Sequence, residues 1–126
     1  MWFINDAMKT TKAYNVQIWV GLKETFGEQV QHTIDDVRKV CDEWVDTEKD
    51  CVSITPTEYR YVGGSENGVV VGMISYPRFP REHWVIRNRA VSLAEKLMCA
   101  LNQYKVTVTT PKRSYMLENE KVKRDV

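Results

Sequence analysis

The apolar residues Ile86, Ala90, Leu93, Ala94, Leu97 and Leu101 recur at three- and four-residue steps, and no other feature of the chain restricts its fold as strongly. That spacing lines one face of an α-helix over about residues 81–102, and such a face must be buried against a partner surface. Directly upstream, Tyr76-Pro77-Arg78-Phe79-Pro80 is neither helix nor central strand, because two prolines fix φ and remove two backbone donors. A long amphipathic helix therefore begins abruptly after an irregular segment.

The partner surface is legible elsewhere. Val16, Ile18 and Val20 alternate with Gln17 and Trp19, which predicts a strand over 15–21 with Trp19 on the face opposite the valines. After a loop, Thr33 precedes Ile34, Val37, Val40, Cys41, Trp44 and Val45 at helical spacing, and Asp36 three residues on completes a capping signal. Residues 51–62 and 69–75 read as two strands, joined by the turn-forming stretch Gly63-Gly64-Ser65-Glu66-Asn67-Gly68. The unbroken run Val69-Val70-Val71 predicts a strand covered on both faces. Val106 and Val108 alternate with Thr107 and Thr109 up to Pro111, and Tyr115-Met116-Leu117 offers a short edge strand. The order βαββαβ predicts an α+β ferredoxin-like sandwich, an antiparallel sheet with two helices on one face. Residues 1–13 read as an N-terminal arm, 14–117 as one ligand-binding domain, and 118–126 as a charged tail.

With 126 residues, 43% hydrophobic and 28% charged, the chain is long enough for one core and not for two. No apolar run approaches the ~18 residues needed to cross a bilayer, and the first residues lack signal-peptide character, so a cytoplasmic protein is expected, without a membrane partner. Eighteen basic against 17 acidic residues exclude the strongly basic balance of a protein that binds nucleic acid polymers. Cys41, Cys51 and Cys99 contain no CxxC pair and read as buried or half-buried thiols of a reducing compartment. Neither a metal nor a cofactor is expected.

Two clusters suggest function. Trp84, Val91 and Met98 share a second face of the long helix, with Asn88 and Glu95 beside them. That face reads as a self-association surface, giving a homo-oligomer, a dimer or a dimer-based hexamer. Around the start of the same helix stand Arg78, Phe79, Arg81, His83, Arg87 and Arg89, and arginine forks, helix-terminal amides and an aromatic together suit a phosphorylated, base-bearing ligand. Lys112 and Arg113 make the C-terminal region basic. His32 and His83 stand apart, without the spacing of a two-histidine phosphoesterase or HExxH, and no carboxylate pair recommends itself for acid–base work. A non-enzymatic protein is expected.

Three stretches, Val16-Gln17-Ile18-Trp19-Val20-Gly21-Leu22, Thr55-Pro56-Thr57-Glu58-Tyr59-Arg60-Tyr61-Val62 and Val71-Gly72-Met73-Ile74-Ser75-Tyr76-Pro77-Arg78-Phe79-Pro80, resemble the first Thoeris anti-defence family of bacteriophages. The resemblance implies a sponge: an oligomer in the infected host cytoplasm that holds cyclic ADP-ribose isomer signals, and in some members cyclic oligonucleotides, without degrading them. It implies Phe79 and Asn88 as binding residues, with Lys112 and Arg113 as the basic pair near the last strand. From the residues themselves, the alternative is a protein-interaction adaptor or inhibitor that uses the Trp84 face.

Overall fold

In the computed structural model, residues 7–24 and 30–121 are described. Alternation of valine and isoleucine with polar residues builds β1, Asn15–Gly21. The capped amphipathic segment forms α1, Ile34–Glu48, where the Asp36 side chain accepts from the Thr33 N–H at 2.8 Å. Strands β2 (Ser53–Tyr61) and β3 (Gly64–Ile74) follow, then α2 (His83–Ala100), β4 (Lys105–Thr109) and β5 (Ser114–Glu118). The sheet has the order β2-β3-β1-β4-β5, with every neighbouring pair antiparallel. The expected α+β sandwich is the fold, with the short last segment added as a fifth, edge strand.

One face of the sheet carries Val16, Ile18 and Val20 from β1, Val69, Val71 and Met73 from β3, and Val106 and Val108 from β4, all at most 1% exposed. Against them pack Val37, Cys41 and Trp44 of α1 and Ile86, Ala90, Leu93, Ala94 and Leu97 of α2. Burying each large aliphatic side chain contributes about 1.5–3 kcal/mol, so this single layer holds the fold. Pro56 is tolerated because β2 is an edge strand, where a missing N–H costs no ladder bond on the solvent side.

Several expectations need correcting. The β2–β3 hairpin turns on only two residues, Val62 and Gly63, with Tyr61 paired to Gly64 and Gly63 at φ 87°, a conformation that favours glycine. The six-residue stretch expected as a turn is therefore largely strand. Val70 is half-buried rather than enclosed, because helices cover only one face of the sheet. Met98, expected on an exposed face, is 6% exposed and belongs to the core, whereas Trp84 is 58% exposed and Val91 is half-buried. Cys51 and Cys99 are exposed; Cys41 alone of the three is buried, and burial, helped by Asp42, pushes its thiol up to about 11. No helix among the described residues is long and apolar enough to cross a membrane.

The helix layer is fastened by one carboxylate. Asp50, its side chain 6% exposed, accepts from Arg81 Nη1 at 2.8 Å and Arg89 Nε at 2.9 Å, while Arg89 Nη2 also donates to the Glu48 carbonyl at 2.6 Å. Burial works to raise the acid's pKa, but the bonds from Arg81, the Cys51 N–H and Arg89 together outweigh it and hold it below its ordinary value of 3.8. A lowered folded-state pKa means that this contribution is complete above the unfolded value and is lost as pH falls through the folded one. Asp50→Asn is expected to cost about 1–3 kcal/mol at neutral pH. Urea unfolding from pH 7 to pH 2 checks it: the gap between wild type and variant should close below pH 3.8.

Candidate functional site

Period-two alternation sends every second residue to the face of the sheet that no helix covers. Trp19 and Gly21 of β1, Tyr59 and Tyr61 of β2, Glu66 of β3, and Lys105 and Thr107 of β4 stand there, in a cavity of about 530 Å³ that Lys23, Glu24, Gln103 and Tyr104 complete. That size lies within the roughly 300–1,000 Å³ of small-molecule sites.

Register brings the parts together. Tyr59 is the cross-strand partner of Glu66, and Gly21 of Gly68. The two glycines make a low floor. A Cβ on Gly68 would lie 2.0 Å from Tyr59 Cε2 and 2.7 Å from the Val20 carbonyl oxygen, and one on Gly21 would lie 2.9 Å from Glu66 Oε2. The phenol ring and the carboxylate thus lie low over the backbone because those side chains are missing. Tyr59 O–H donates to the Val20 carbonyl at 3.4 Å, and Trp19 Nε1–H donates to Thr109 Oγ1 at 2.9 Å, so both rings are tethered. Burial, then the neighbouring Glu66 charge, push the Tyr59 phenol up to about 12, so it remains a protonated donor throughout the neutral range.

Chemically, the site combines aromatic faces with carboxylates. Trp19, Tyr59, Tyr61 and Tyr104 can accept a soft cation against their π-faces, and Glu66 and Glu24 supply negative charge. Lys23 and Lys105 stand exposed at the rim, with Lys105 Nζ 5.1 Å from the Tyr104 ring centroid. Among the described residues there is no group of three or more metal-ligating side chains.

The residues singled out from the sequence lie elsewhere. Arg87, Lys112 and Arg113 do converge, with Tyr14, His83 and Trp84, on a smaller cavity of about 380 Å³ beside the start of β1. That is the opposite end of a seven-residue strand from Gly21, about 20 Å away at ~3.4 Å per residue. Arg81 is engaged by Asp50 and is no free cation. Arg78 covers the Phe79 ring at 5.2 Å, and Phe79 is 64% exposed in a turn closed by its N–H to the Tyr76 carbonyl at 2.9 Å. Asn88 is exposed and, among the described residues, accepts from its neighbour Arg87 at 3.3 Å. Sequence reading missed the open-face cluster because it left Glu66 in a turn. The available signal was three aromatics, Trp19, Tyr59 and Tyr61, on the non-core positions of two strands.

In fold, the chain is similar to phage SAM lyases. A phage SAM lyase in its apo state matches with a TM-score of 0.71 and 21% identity, over 85% of this chain and 90% of that one. A phage SAM lyase in complex with S-methyl-5'-thioadenosine matches with a TM-score of 0.71 and 19% identity, over 90% of this chain and 95% of that one. No protein-family model matches the chain, and no curated protein matches it. The fold neighbours are enzymes that act on SAM, and this overturns two expectations from the sequence: a protein without catalysis, and one that sequesters cyclic ADP-ribose signals intact.

The glycine floor carries its own prediction. Gly68→Ala forces a Cβ against both the Tyr59 ring and the Val20 carbonyl, and backbone cannot move aside cheaply. An overpacking cost of about 1–3 kcal/mol is expected, read as a lowered midpoint in thermal unfolding. A Gly68→Ala variant as stable as wild type would show that Tyr59 does not lie on this floor.

Proposed function

We propose that the protein is a lyase acting on S-adenosylmethionine, with its site on the uncovered face of the sheet. The observation that carries the reading is the grouping of Trp19, Tyr59, Tyr61 and Glu66 in one cavity, on a fold shared with phage SAM lyases. A sulfonium is a soft, weakly hydrated cation, and aromatic faces beside a carboxylate are the surroundings that favour it, at about 0.5–2 kcal/mol per ring contact.

S-methyl-5'-thioadenosine, the ligand held by one fold neighbour, retains the methyl group and the adenosyl group on sulfur. If it is a product here, the bond that breaks is the one from sulfur to the γ-carbon of the aminobutanoate chain, and its electron pair leaves with sulfur. A lyase adds no water, so the other fragment must balance within itself. Displacement by the substrate's own carboxylate forms an oxygen–γ-carbon bond as the sulfur–carbon bond breaks, giving a five-membered lactone. The alternative removes a β-proton, but that carbon carries no activating group and a glutamate is too weak a base for it. An intramolecular nucleophile gains most of its rate from being held near its target. Cationic sulfonium and anionic carboxylate neutralise one another in this step, so an aromatic site poorer than water in polarity favours the transition state over the separated charges. Lys23 and Lys105 at the rim draw in the carboxylate, and the neutral Tyr59 phenol, its O–H held by the Val20 carbonyl, adds no charge to the cavity.

Purified protein incubated with SAM is expected to release S-methyl-5'-thioadenosine together with an aminobutyrolactone, separated by chromatography and identified by mass. Glu66→Gln should lower kcat/KM by roughly 100-fold or more, in the range found when one charged group is removed from a preorganised site. S-adenosylhomocysteine, a neutral thioether without the sulfonium leaving group, should not be cleaved. Absence of the thioadenosine product at high protein concentration sinks the proposal.

A further inference from the structure

The smaller cavity at the start of β1, about 380 Å³, is lined by charge of one sign: Arg87, Lys112 and Arg113 stand on it, and among the described residues no aspartate or glutamate does. It lies on the helix-covered side of the sheet. Tyr115 pairs with Val108 and so shares its face, and Tyr14 and Tyr115 both pack against the core. The cavity is therefore on the other face, and at the other end of β1, from the one assigned to the lyase. Arginines elsewhere on the chain meet carboxylates: Arg38 meets Asp35, Arg60 meets Glu58, and Arg81 and Arg89 share Asp50. Among the described residues, Arg87, Lys112 and Arg113 have no such partner; Arg87 uses only its Nε–H, on Asn88 Oδ1. The loop that carries two of these cations is locked. Thr110 Oγ1 accepts from the Lys112 N–H at 3.3 Å and the Arg113 N–H at 3.0 Å, and the Thr110 N–H donates to the Arg113 carbonyl at 2.8 Å. One wall is equally fixed, because the His83 ring stacks on Tyr14 with centroids 4.2 Å apart and planes 14° from parallel. Beside it, the Trp84 ring is 58% exposed.

Three cations held around one cavity repel one another, and a solvated surface has no need to gather them there. We propose that the cavity is a second ligand site, one that takes a nucleoside phosphate. The free guanidinium N–H groups of Arg87 and Arg113 and the Lys112 ammonium receive the phosphate oxygens, and the exposed Trp84 ring stacks on the base. Charge selects the phosphate: a carboxylate brings one negative charge, enough for a single guanidinium, whereas a terminal phosphate brings about two and offers three oxygens. The ring selects the rest of the ligand, since a flat exposed indole beside cations favours a flat heteroaromatic group over an aliphatic one. The volume lies within the roughly 300–1,000 Å³ of small-molecule sites. This inference stands on the helix side of the sheet alone and does not rest on the lyase reading.

The test titrates the full chain with ADP, adenosine and inorganic phosphate, reading affinity by calorimetry and position by proton–nitrogen NMR. ADP is expected to shift the indole N–H of Trp84 and the backbone N–H signals of Lys112 and Arg113, and to leave the Trp19 indole, on the other face, where it was. Adenosine and inorganic phosphate should each bind roughly tenfold or more weaker than ADP, and added salt should weaken ADP further. The double variant Lys112→Gln, Arg113→Gln, and separately Arg87→Gln, should lower ADP affinity by roughly tenfold or more, as expected for lost bonds between charged groups. These side chains are exposed or half-buried and have no ion-pair partner, so thermal unfolding should be unchanged. Four results overturn the site: no ADP binding, inorganic phosphate bound as tightly as ADP, a shift of the Trp19 indole without one at Trp84, or unaltered ADP affinity in both variants. None of these readouts involves SAM cleavage, so failure here and failure of the lyase reading are seen separately.

Discussion

Both helices pack on the same side of the sheet, and the consequences of that asymmetry run through the molecule. On the covered side, strand residues are valine, isoleucine and methionine, almost wholly excluded from water. On the other side the alternate residues of the same strands meet no helix, so polar and aromatic groups can be placed without the penalty of burying unpaired charge. The core thus supplies rigidity to a surface it does not otherwise shape. The open-face side chains of β1 and β4 are fixed by strands whose opposite residues are locked in the core. Trp19 lies between Ile18 and Val20, and Glu66 lies three residues before the buried run that starts at Val69.

The glycine pair Gly21 and Gly68 converts that surface into a site. Had either strand carried an ordinary side chain there, Tyr59 and Glu66 would stand off the sheet and the cavity would be filled. The cost of glycine inside strands, about 0.5–1 kcal/mol each, is offset by burial on the opposite face. What results is electrostatically lopsided, with the Glu66 and Glu24 carboxylates in the cavity and Lys23 and Lys105 exposed at its rim. Such an arrangement suits a ligand that brings positive charge to the interior and negative charge to the mouth, as a zwitterionic sulfonium amino acid does. The arginine-rich end of α2 is the electrostatic opposite. Asp50 engages Arg81 and Arg89, and Arg87 faces a smaller cavity at the far end of β1 with Lys112 and Arg113.

How much of this was legible follows from the range over which each signal acts. The two helices, the strand order and the one-sided sandwich were readable because hydrophobic period is a property of neighbouring residues: Ile86 to Leu101 and Val16 to Val20 declare their faces without knowing what covers them. Composition misled in the hairpin. Gly63-Gly64-Ser65-Glu66-Asn67-Gly68 has the residues of a loop, yet pairing with Thr57, Glu58, Tyr59 and Arg60 draws most of it into β3, because ladder hydrogen bonds outweigh weak local preference. Arg81 and Arg89 read as free cations because their partner, Asp50, lies on a segment 31 residues earlier than Arg81 and 39 earlier than Arg89.

The sequence by itself determined the kind and order of elements, the buried side of each, and the presence of aromatics on the other side of β1 and β2. Only the tertiary structure decided which of those side chains meet. Register sets Tyr59 against Glu66 and Gly21 against Gly68, and the turn after α2 carries Gln103 beneath them. Such meetings depend on strand pairing between residues as distant in sequence as Gly21 and Gly68 and on the absence of a Cβ at two points. Neither leaves a periodic trace in the chain, since a glycine in a strand looks the same whether it marks a bulge, a turn or the floor of a site.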